Sequence, residues 1–289
     1  MTTQNNKVQF EDIIKYRRQD LQREMELKPL NILKDEIESY RLSKYTNPDS
    51  NTQADVKDLK QSLDQSNDVA VICEFKPASP SMGDISNSNL ENALEIFEKS
   101  GASAVSILTE NRHFKGSLDN LRSAYNLTKL PIIRKDFLIN EYQIYQAKIE
   151  GASSVLLMNN IYPDLEEGIT ICRELDMNPL VECKNKEEIS HSLKVGADII
   201  GINNRNFDDF NVNLKTTAKL AKYVPSDIIL VSESGIKGPE DANYLSSFGV
   251  DALLIGTSIM GVKGYDGMLN AATNIISSVK GSRIVRNED

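Results

Sequence analysis

The chain has 289 residues, with 33 basic and 42 acidic side chains, a net charge of −9 and a pI near 5.0. With 40% hydrophobic and 26% charged residues, this composition is typical of a soluble globular protein. The acidic balance argues against a nucleic-acid binder, but it does not exclude an anionic ligand held by a local lysine cluster.

Cysteine and histidine are scarce, with three cysteines (Cys73, Cys172 and Cys183) and two histidines. The odd count without a C-x-x-C pair argues against a disulfide framework or a zinc site and favours a reducing cytosol. We therefore expect no metal. No run of about 18 apolar residues occurs, and the first residues lack an apolar segment, so we expect neither a membrane span nor a signal peptide.

Residues 8–43 carry apolar side chains at helical spacing, for example Phe10, Ile13 and Ile14, which predicts helix with a break at Pro29. Residues 45–67 are polar and predict a surface loop followed by a short helix. We therefore expect a helical extension over residues 1–68.

A different pattern begins at residue 69, where short apolar runs alternate with amphipathic stretches of 10 to 15 residues, such as 88–99, 163–175 and 238–247. The runs are apolar almost throughout, as in parallel strands that are covered on both faces. Eight strands are predicted to begin near Val69, Ser103, Pro131, Ser154, Asn178, Asp198, Asp227 and Asp251.

Four of the predicted helices end in a similar motif, a glycine followed shortly by a strand, at Gly101, Gly151, Gly196 and Gly249. Each glycine is a plausible helix stop. Two βα units repeated four times predict an α/β fold, a (β/α)8 TIM barrel over residues 69–289 with the helical extension before it. An open doubly wound sheet with the same number of βα units is the alternative.

Catalytic residues of such barrels lie at the C-terminal ends of the strands. Glu74 and Lys76 are two residues apart, so both should face the interior, while Cys73 faces the helices. A buried ion pair that only fixes packing is the alternative for this pair. Lys135 ends the third strand, and Glu182 lies inside the fifth, with Cys183 beside it facing outward.

The later strands add further polar groups. Asn203 and Arg205 should share one side of the sixth strand, and Ser232 and Ser234 one side of the seventh. Two lysines and two glutamates at one mouth can supply a general acid, a general base and charge stabilisation.

The dipeptides Ser234-Gly235 and Gly256-Thr257 follow the last two strands, where barrels often bind phosphate through backbone N–H groups. Two ordinary glycine turns are the alternative, and no nucleotide-binding motif is present. His113 is expected to be a solvent-exposed loop residue, and His191 a structural residue of a helix.

Seven motifs, in order, resemble the indole-3-glycerol phosphate synthase family over residues 8 to 275. They are EFKPASPSMG (74–83), LTENRHFKGS (108–117), KDF (135–137), LVE (180–182), GINNRN (201–206), SESGI (232–236) and IGTSIM (255–260). The resemblance implies a cytoplasmic enzyme of tryptophan biosynthesis without cofactor or metal. It would convert 1-(2-carboxyphenylamino)-1-deoxyribulose 5-phosphate to indole-3-glycerol phosphate, CO2 and water.

The resemblance also implies roles. Lys135 would be the general acid and Glu182 the base of the dehydration, while Lys76 would share the acid role and lie near the substrate carboxylate and phosphate. Glu74 would tune the lysines, Asn203 would hold substrate hydroxyls, and Ser234 would complete the catalytic set. The implied substrate-binding residues are Ser79, Pro80, Phe114, Phe137 and Arg205, and the implied phosphate ligands are Lys76, Gly235, Gly256 and Thr257.

Pro77, Phe207 and Thr257 depart from the family pattern and bear on substrate fit rather than on the reaction. Two other functions remain open from the residues: a barrel isomerase that uses a thiol, and a barrel that binds a sugar phosphate or a protein without chemistry. We expect a monomer with a phosphorylated small-molecule substrate, no nucleic acid and no second fused enzyme. Association with other tryptophan-pathway enzymes is left open.

Overall fold

The computed structural model describes residues 10–46, 58–65, 67–80, 82–86, 88–206 and 210–286. Three helices precede the first strand: α1 (Phe10–Leu27), α2 (Leu30–Thr46) and α3 (Leu59–Leu63). The break at Pro29 is confirmed, because proline fits at the start of α2 but lacks the N–H that would continue α1. The short helix predicted before residue 67 is α3, whereas residues 47–57 of the predicted loop lie outside the described residues.

Eight parallel strands close into a barrel, which confirms the predicted fold and excludes the open sheet. The hydrogen-bonded order is β1-β10-β9-β8-β7-β6-β5-β4. Barrel strands that follow one another in the chain are therefore paired, and the first strand closes the barrel by pairing with the last. Each begins within two residues of its predicted start. The barrel strands are β1 (Ala70–Phe75), β4 (Ala104–Leu108), β5 (Ile132–Lys135), β6 (Ser154–Met158), β7 (Leu180–Cys183), β8 (Ile199–Asn203), β9 (Ile229–Glu233) and β10 (Ala252–Ile255).

A two-stranded hairpin that the sequence pattern does not predict follows β1, formed by β2 (Ala78–Ser79) and β3 (Gly83–Asp84). Strands of two residues are too short to give a periodic signal. Because it follows the C-terminal end of β1, the hairpin lies at the barrel mouth. The carbonyl oxygen of Phe114, in the loop after β4, accepts a 3.2 Å hydrogen bond from Ala78 N and ties the two loops together.

Helices cover the outside of the barrel between the strands. They are α4 (Leu90–Ser100), α5 (Leu118–Leu127), α6 (Glu141–Ile149), α7 (Leu165–Glu174), α8 (Lys186–Lys194), α9 (Lys215–Leu220), α10 (Pro239–Ser246), α11 (Thr257–Met260) and α12 (Tyr265–Ser278), with a 3-10 turn at Ala221–Tyr223. The four repeated glycines have φ angles between 72° and 90°, so each ends its helix in the left-handed region, as predicted.

Alternation along the strands divides the core into two layers. One side of each strand packs against the helices, as Val71 and Val105 do, and the other fills the barrel interior, as Ile72 and Ile133 do. Helix α1 joins the interior layer through the buried Ile13, and Phe10 packs edge-on against Phe137 with ring centroids 5.6 Å apart. Helix α1 therefore lies against the mouth of the barrel, where the predicted site is, whereas α3 lies at the opposite end, where Lys60 Nζ donates a 3.1 Å hydrogen bond to Asp198 Oδ1 directly before β8.

Candidate active site

A cavity opens at the C-terminal ends of the strands and is lined by apolar and aromatic side chains together with a few charged groups, as expected of a site for a small organic ligand. Every residue to which the family resemblance assigns a catalytic or binding role borders it. These residues are Glu74, Lys76, Ser79, Pro80, Phe114, Lys135, Phe137, Glu182, Asn203, Arg205, Ser234, Gly235, Gly256 and Thr257. The structure thus brings them together, while their individual roles stay predictions.

Two lysines surround Glu74 at the base of the cavity. Lys76 Nζ lies 2.6 Å from Glu74 Oε1, and Lys135 Nζ lies 3.4 Å from Glu74 Oε2. Burial alone would raise the pKa of Glu74, but the charges of the two lysines outweigh it and lower the pKa to about 2. Glu74 is therefore a permanent anion that holds both ammonium groups in place.

Lys135 is also bound from the far side of the barrel, where its Nζ donates a 2.7 Å hydrogen bond to Glu233 Oε2. Burial lowers the pKa of Lys135, but the charges of Glu233, Glu74 and Glu182 outweigh that effect and raise it above its usual value. The amine therefore stays fully protonated at neutral pH, as a general acid requires.

Glu182 is the opposite case, because it is 5% exposed and makes no ion pair among the described residues. Its Oε2 accepts a 3.0 Å hydrogen bond from Asn203 Nδ2. Burial, together with the charge of Glu233, raises the pKa of Glu182 to about 8, although Lys135 and Asn203 act against the shift. Two carboxyl groups of one cavity therefore have pKa values far apart, the arrangement expected of an acid–base site.

Glu233 is the functional residue that the sequence reading missed. It is fully buried, whereas Ser232 faces the helices and bonds to Thr217 Oγ1 (2.8 Å) and Asn204 Nδ2 (3.0 Å). The prediction that Ser232 and Ser234 share one side is wrong. Ser234 has a φ of +68°, which breaks the strand alternation and turns it to the cavity.

Two glycines, Gly201 on β8 and Gly256 directly after β10, give the carboxylates their space. A Cβ atom on Gly201 would overlap Glu233 Oε1, and one on Gly256 would lie 2.6 Å from Glu74 Oε1. A larger residue at either position would displace an acid that binds Lys135.

The predicted phosphate ligands border the same cavity. Ser234 and Gly235 are consecutive residues with positive φ angles, +68° and +85°, so the backbone turns sharply directly after β9. Gly256 and Thr257 begin α11, whose first turn has no side-chain cap. Arg205 completes this rim and donates a 3.2 Å hydrogen bond to the carbonyl of Phe210.

An aromatic wall closes the side of the cavity nearest α1. Phe114 and Phe137 lie with ring centroids 6.2 Å apart at an angle of 51°. Glu110 shapes the loop that carries Phe114, because its Oε2 accepts hydrogen bonds from His113 N (2.8 Å) and Phe114 N (3.0 Å). The His113 ring also faces Glu110, at 3.2 Å, and its side chain is only 14% exposed, so the expectation of a solvent-exposed histidine is wrong.

The cysteines lie outside the cavity, in the layer between strands and helices. Cys73 and Cys183 are buried there, and burial raises the pKa of each thiol to about 12. This placement agrees with their predicted outward orientation and leaves the cavity without the thiol acid or base on which a thiol-dependent isomerase would rely.

Comparison with known proteins decides the family. The family model described as indole-3-glycerol phosphate synthase matches residues 4–270. The chain belongs to the indole-3-glycerol phosphate synthase family. A relative of that name from Methanothermobacter marburgensis is 43% identical over 274 residues, covering 95% of this chain and 94% of the relative. Another from Caldanaerobacter subterraneus subsp. tengcongensis is 43% identical over 253 residues, covering 87% and 93%.

Members of the indole-3-glycerol phosphate synthase family are carboxy-lyases of tryptophan biosynthesis, and this chain is a carbon–carbon lyase of that class. Among the departures from the family pattern, Pro77 shapes the hairpin after β1, because its carbonyl accepts a 2.8 Å hydrogen bond from Ile85 N. Thr257 borders the cavity, and Phe207 lies outside the described residues.

Solved structures of other enzymes share the barrel fold. Thiamine phosphate pyrophosphorylase from Pyrococcus furiosus superposes with a TM-score of 0.58 at 18% identity, covering 74% of this chain and 96% of that one. 3-Hexulose-6-phosphate synthase from Salmonella typhimurium gives a TM-score of 0.58 at 11% identity, covering 73% and 98%. At such identities the similarity concerns the fold alone.

Two kinds of feature are absent from the described residues. In those ranges no helix combines the length and apolar character needed to cross a bilayer. Nor does the same part of the chain contain three or more His, Cys, Asp or Glu residues grouped so as to hold a metal ion.

Proposed function

We propose that the cavity converts 1-(2-carboxyphenylamino)-1-deoxyribulose 5-phosphate to indole-3-glycerol phosphate, CO2 and water by Lys/Glu general acid–base catalysis. The observation that carries the proposal is one cavity lined by a charged lysine, Lys135, by a carboxyl group of raised pKa, Glu182, and by the small residues of two loops, 234–235 and 256–257. Family membership supplies the reaction to which this arrangement is matched.

The substrate is oriented by its two chemically distinct ends. Its phosphate binds at Ser234-Gly235 and Gly256-Thr257, where backbone N–H groups and small residues allow close approach. Its aromatic ring stacks against Phe114 and Phe137, and Lys76 neutralises the carboxylate. This orientation places the ketone carbon between Lys135 and Glu182.

Ring closure begins with Lys135. Its ammonium donates a proton to the ketone oxygen while the ring carbon that carries the carboxylate bonds to the ketone carbon. The C–CO2 bond then breaks, and its electron pair restores the aromatic ring as CO2 leaves. Glu74 and Glu233 fix the ammonium group in advance, so little reorganisation accompanies the transfer.

Dehydration needs a base and an acid. Glu182, once ionised, removes a proton from the carbon next to the new hydroxyl-bearing centre, and that hydroxyl leaves as water after protonation by a lysine. A base with a pKa near the working pH is the most effective compromise between availability and strength. Lys76 is the lysine we assign to this step, since Glu74 holds it on the same wall of the cavity.

The proposal is tested by incubating the purified protein with the carboxyphenylamino-deoxyribulose phosphate and following indole-3-glycerol phosphate fluorescence, without added metal or cofactor. Lys135→Ala and Glu182→Gln should each lower kcat by roughly 100-fold or more. Lys194→Ala and Glu187→Gln, on the exposed side of α8, are the matched controls and should retain activity.

Wild-type turnover that survives in Lys135→Ala or Glu182→Gln would show that the roles are assigned wrongly. Substrate binding without any product from the wild-type protein would favour a barrel that binds a sugar phosphate without chemistry.

A further inference from the structure

Both sequence neighbours of Lys135 are buried charges that belong to one polar network. Arg134 is fully buried, and Asp136 is 4% exposed. The Nη2 group of Arg134 lies 3.1 Å from Asp136 Oδ2. The catalytic candidate is therefore held on both sides by residues that have no role in the proposed chemistry.

Asp136 fixes the backbone around Lys135. Its Oδ1 accepts a 2.8 Å hydrogen bond from Phe137 N, and its Oδ2 accepts a 2.7 Å bond from Thr109 Oγ1. Thr109 N in turn donates to the carbonyl oxygen of Lys135 at 3.0 Å. A displacement of the Asp136 carboxylate would therefore move both the lysine and the aromatic wall.

Helix α1 reaches this carboxylate through Arg17, a residue 7% exposed. Arg17 Nε donates no hydrogen bond within the described part of the chain, but it lies 3.5 Å from Asp136 Oδ1. Arg17 Nη1 donates a 2.9 Å hydrogen bond to Glu24, about two turns further along the same helix. Glu24 also accepts a 3.2 Å hydrogen bond from Gln146 Nε2 of α6. Two arginines and two acids thus form a neutral set that links α1, β5 and α6.

The apolar contacts of α1 already attach it to the barrel, through Ile13 and Leu21. Burying Arg17, Arg134 and Asp136 is expensive, and apolar side chains of similar volume would hold a helix as well or better. What a buried charge network adds is a defined position for each side chain, since each hydrogen bond restricts where its partner can lie. Here the side chain held in position is Asp136, the residue that follows Lys135.

We propose that Arg17 is a positioning residue for Lys135, acting through the carboxylate of Asp136. The inference rests on the proposed function, because it assumes that Lys135 carries out the rate-determining proton transfer. Arg17 does not border the cavity and does not touch substrate, so its removal acts on the geometry of the lysine and not on substrate affinity.

The test is a KM-against-kcat comparison of Arg17→Met with wild type, at a temperature where circular dichroism shows both fully folded. We expect kcat to fall about tenfold with KM within about twofold, because a small misplacement of a catalytic group costs rate rather than binding. Arg17→Lys keeps a charge near Asp136 and should recover at least part of the lost kcat. Arg23→Met, 71% exposed on the same helix, is the control and should retain wild-type kcat.

A second variant separates positioning from simple charge balance. Arg17→Met leaves Glu24 without its arginine, so Arg17→Met/Glu24→Gln restores the balance but not the contact with Asp136. If this double variant keeps the low kcat, the loss comes from Asp136, as proposed. A return to wild-type kcat in the double variant, or an unchanged kcat in Arg17→Met, would overturn the inference.

Amide hydrogen exchange gives a readout that does not depend on turnover. Exchange at Phe137 N–H, which binds Asp136, should be faster in Arg17→Met than in Arg23→Met, and equal protection would also overturn the inference. A wild-type protein that forms no product would overturn the proposed function instead. The two failures are therefore distinguishable.

Discussion

Lys135 Nζ and Glu233 Oε2 meet at 2.7 Å across the full width of the barrel. Their strands, β5 and β9, are four places apart in a ring of eight, so the two side chains extend from opposite walls to the barrel axis. Glu74, from a third strand, is 3.4 Å from the same ammonium group. The ammonium group is thus held by two carboxylates from two other strands, which is the preorganisation that an electrostatic catalyst needs.

Replacing Glu233 by glutamine removes a charge that acts on two groups. Lys135 would lose its shortest contact, and the pKa of Glu182 would fall, because the charge of Glu233 is a main cause of its rise after burial. We expect kcat to fall by roughly 10- to 100-fold and the acid limb of the kcat/KM profile to move to lower pH. A pH profile of Glu233→Gln beside the exposed control Glu240→Gln tests this, and an unshifted acid limb would show that Glu233 does not act on Glu182.

Gly201→Ala should damage activity by a purely steric route. The new Cβ would overlap Glu233 Oε1, so the carboxylate must move and its bond to Lys135 must lengthen. We expect kcat to fall at least about tenfold and stability to fall by about 1–3 kcal/mol, as for other overpacked interiors. Gly238→Ala is the matched control, since a Cβ there has no atom within 4 Å. Equal kcat values for the two variants would disprove the steric argument.

The sequence predicted the barrel because the strands and the four helix-ending glycines are local signals. Glu74, Lys135 and Glu182 were identified because a charged group at the end of an apolar run is unusual. Glu233 was missed because the run before it, DIILV, is apolar on both faces and gives no alternation from which the inward side could be read. The backbone turn at Ser234, with its φ of +68°, then made two serines seem to share a side.

Contacts between segments far apart in the chain could not be predicted from the sequence either. Nothing local to Arg17 distinguishes it from the exposed arginines of α1, because its burial follows from where the helix packs on the barrel. His113 is a related case, since its ring is covered by the fold of its own loop around Glu110. Such features depend on tertiary structure, and residue type and spacing do not encode them visibly.

The pH dependence of activity follows from Glu182. With a pKa of about 8, this carboxyl group is largely protonated at pH 7 in the free enzyme, and only its ionised form can accept a proton. We therefore expect kcat/KM to rise with pH through about 8 and then to level off. Rate measurements from pH 6 to 9.5 test this, with Glu187→Gln as a control that should show the same profile as wild type. A flat profile over that range would contradict the assignment.

The same residue should make stability fall with rising pH. Because its pKa is raised from 4.5 in the unfolded chain, the native state binds the proton more tightly, and stability is lost as pH rises from about 4.5 to about 8. Glu182→Gln removes this loss, so the inactive variant should be more stable than wild type at pH 9 by on the order of 1–3 kcal/mol. At pH 5 the two should be nearly equal. Urea unfolding at both pH values gives the comparison, and a gain of the same size at pH 5 would contradict the electrostatic cause.

Another buried ion pair lies at the N-terminal ends of the strands, away from the cavity, and we expect it to affect stability and not catalysis. Arg286 Nη1 lies 2.7 Å from Asp251 Oδ2, immediately before β10, and the guanidinium also donates to the carbonyl oxygens of Val224 (3.1 Å) and Pro225 (3.0 Å). Both side chains are 5% exposed, so removing the arginine leaves a buried carboxylate with Arg283 as its remaining arginine partner among the described residues.

Arg286→Met should therefore lower the free energy of unfolding by about 3 kcal/mol, which for a chain of this size is a fall in Tm of roughly 5 °C. Because Asp251 lies at the N-terminal ends of the strands and the cavity at their C-terminal ends, kcat per folded molecule should not change. Lys280→Met, an exposed lysine nearby in sequence, is the control and should leave Tm within about 1 °C. Calorimetry and steady-state kinetics on the same samples separate the two effects. A loss of kcat without a loss of Tm would mean that the two ends of the barrel are coupled.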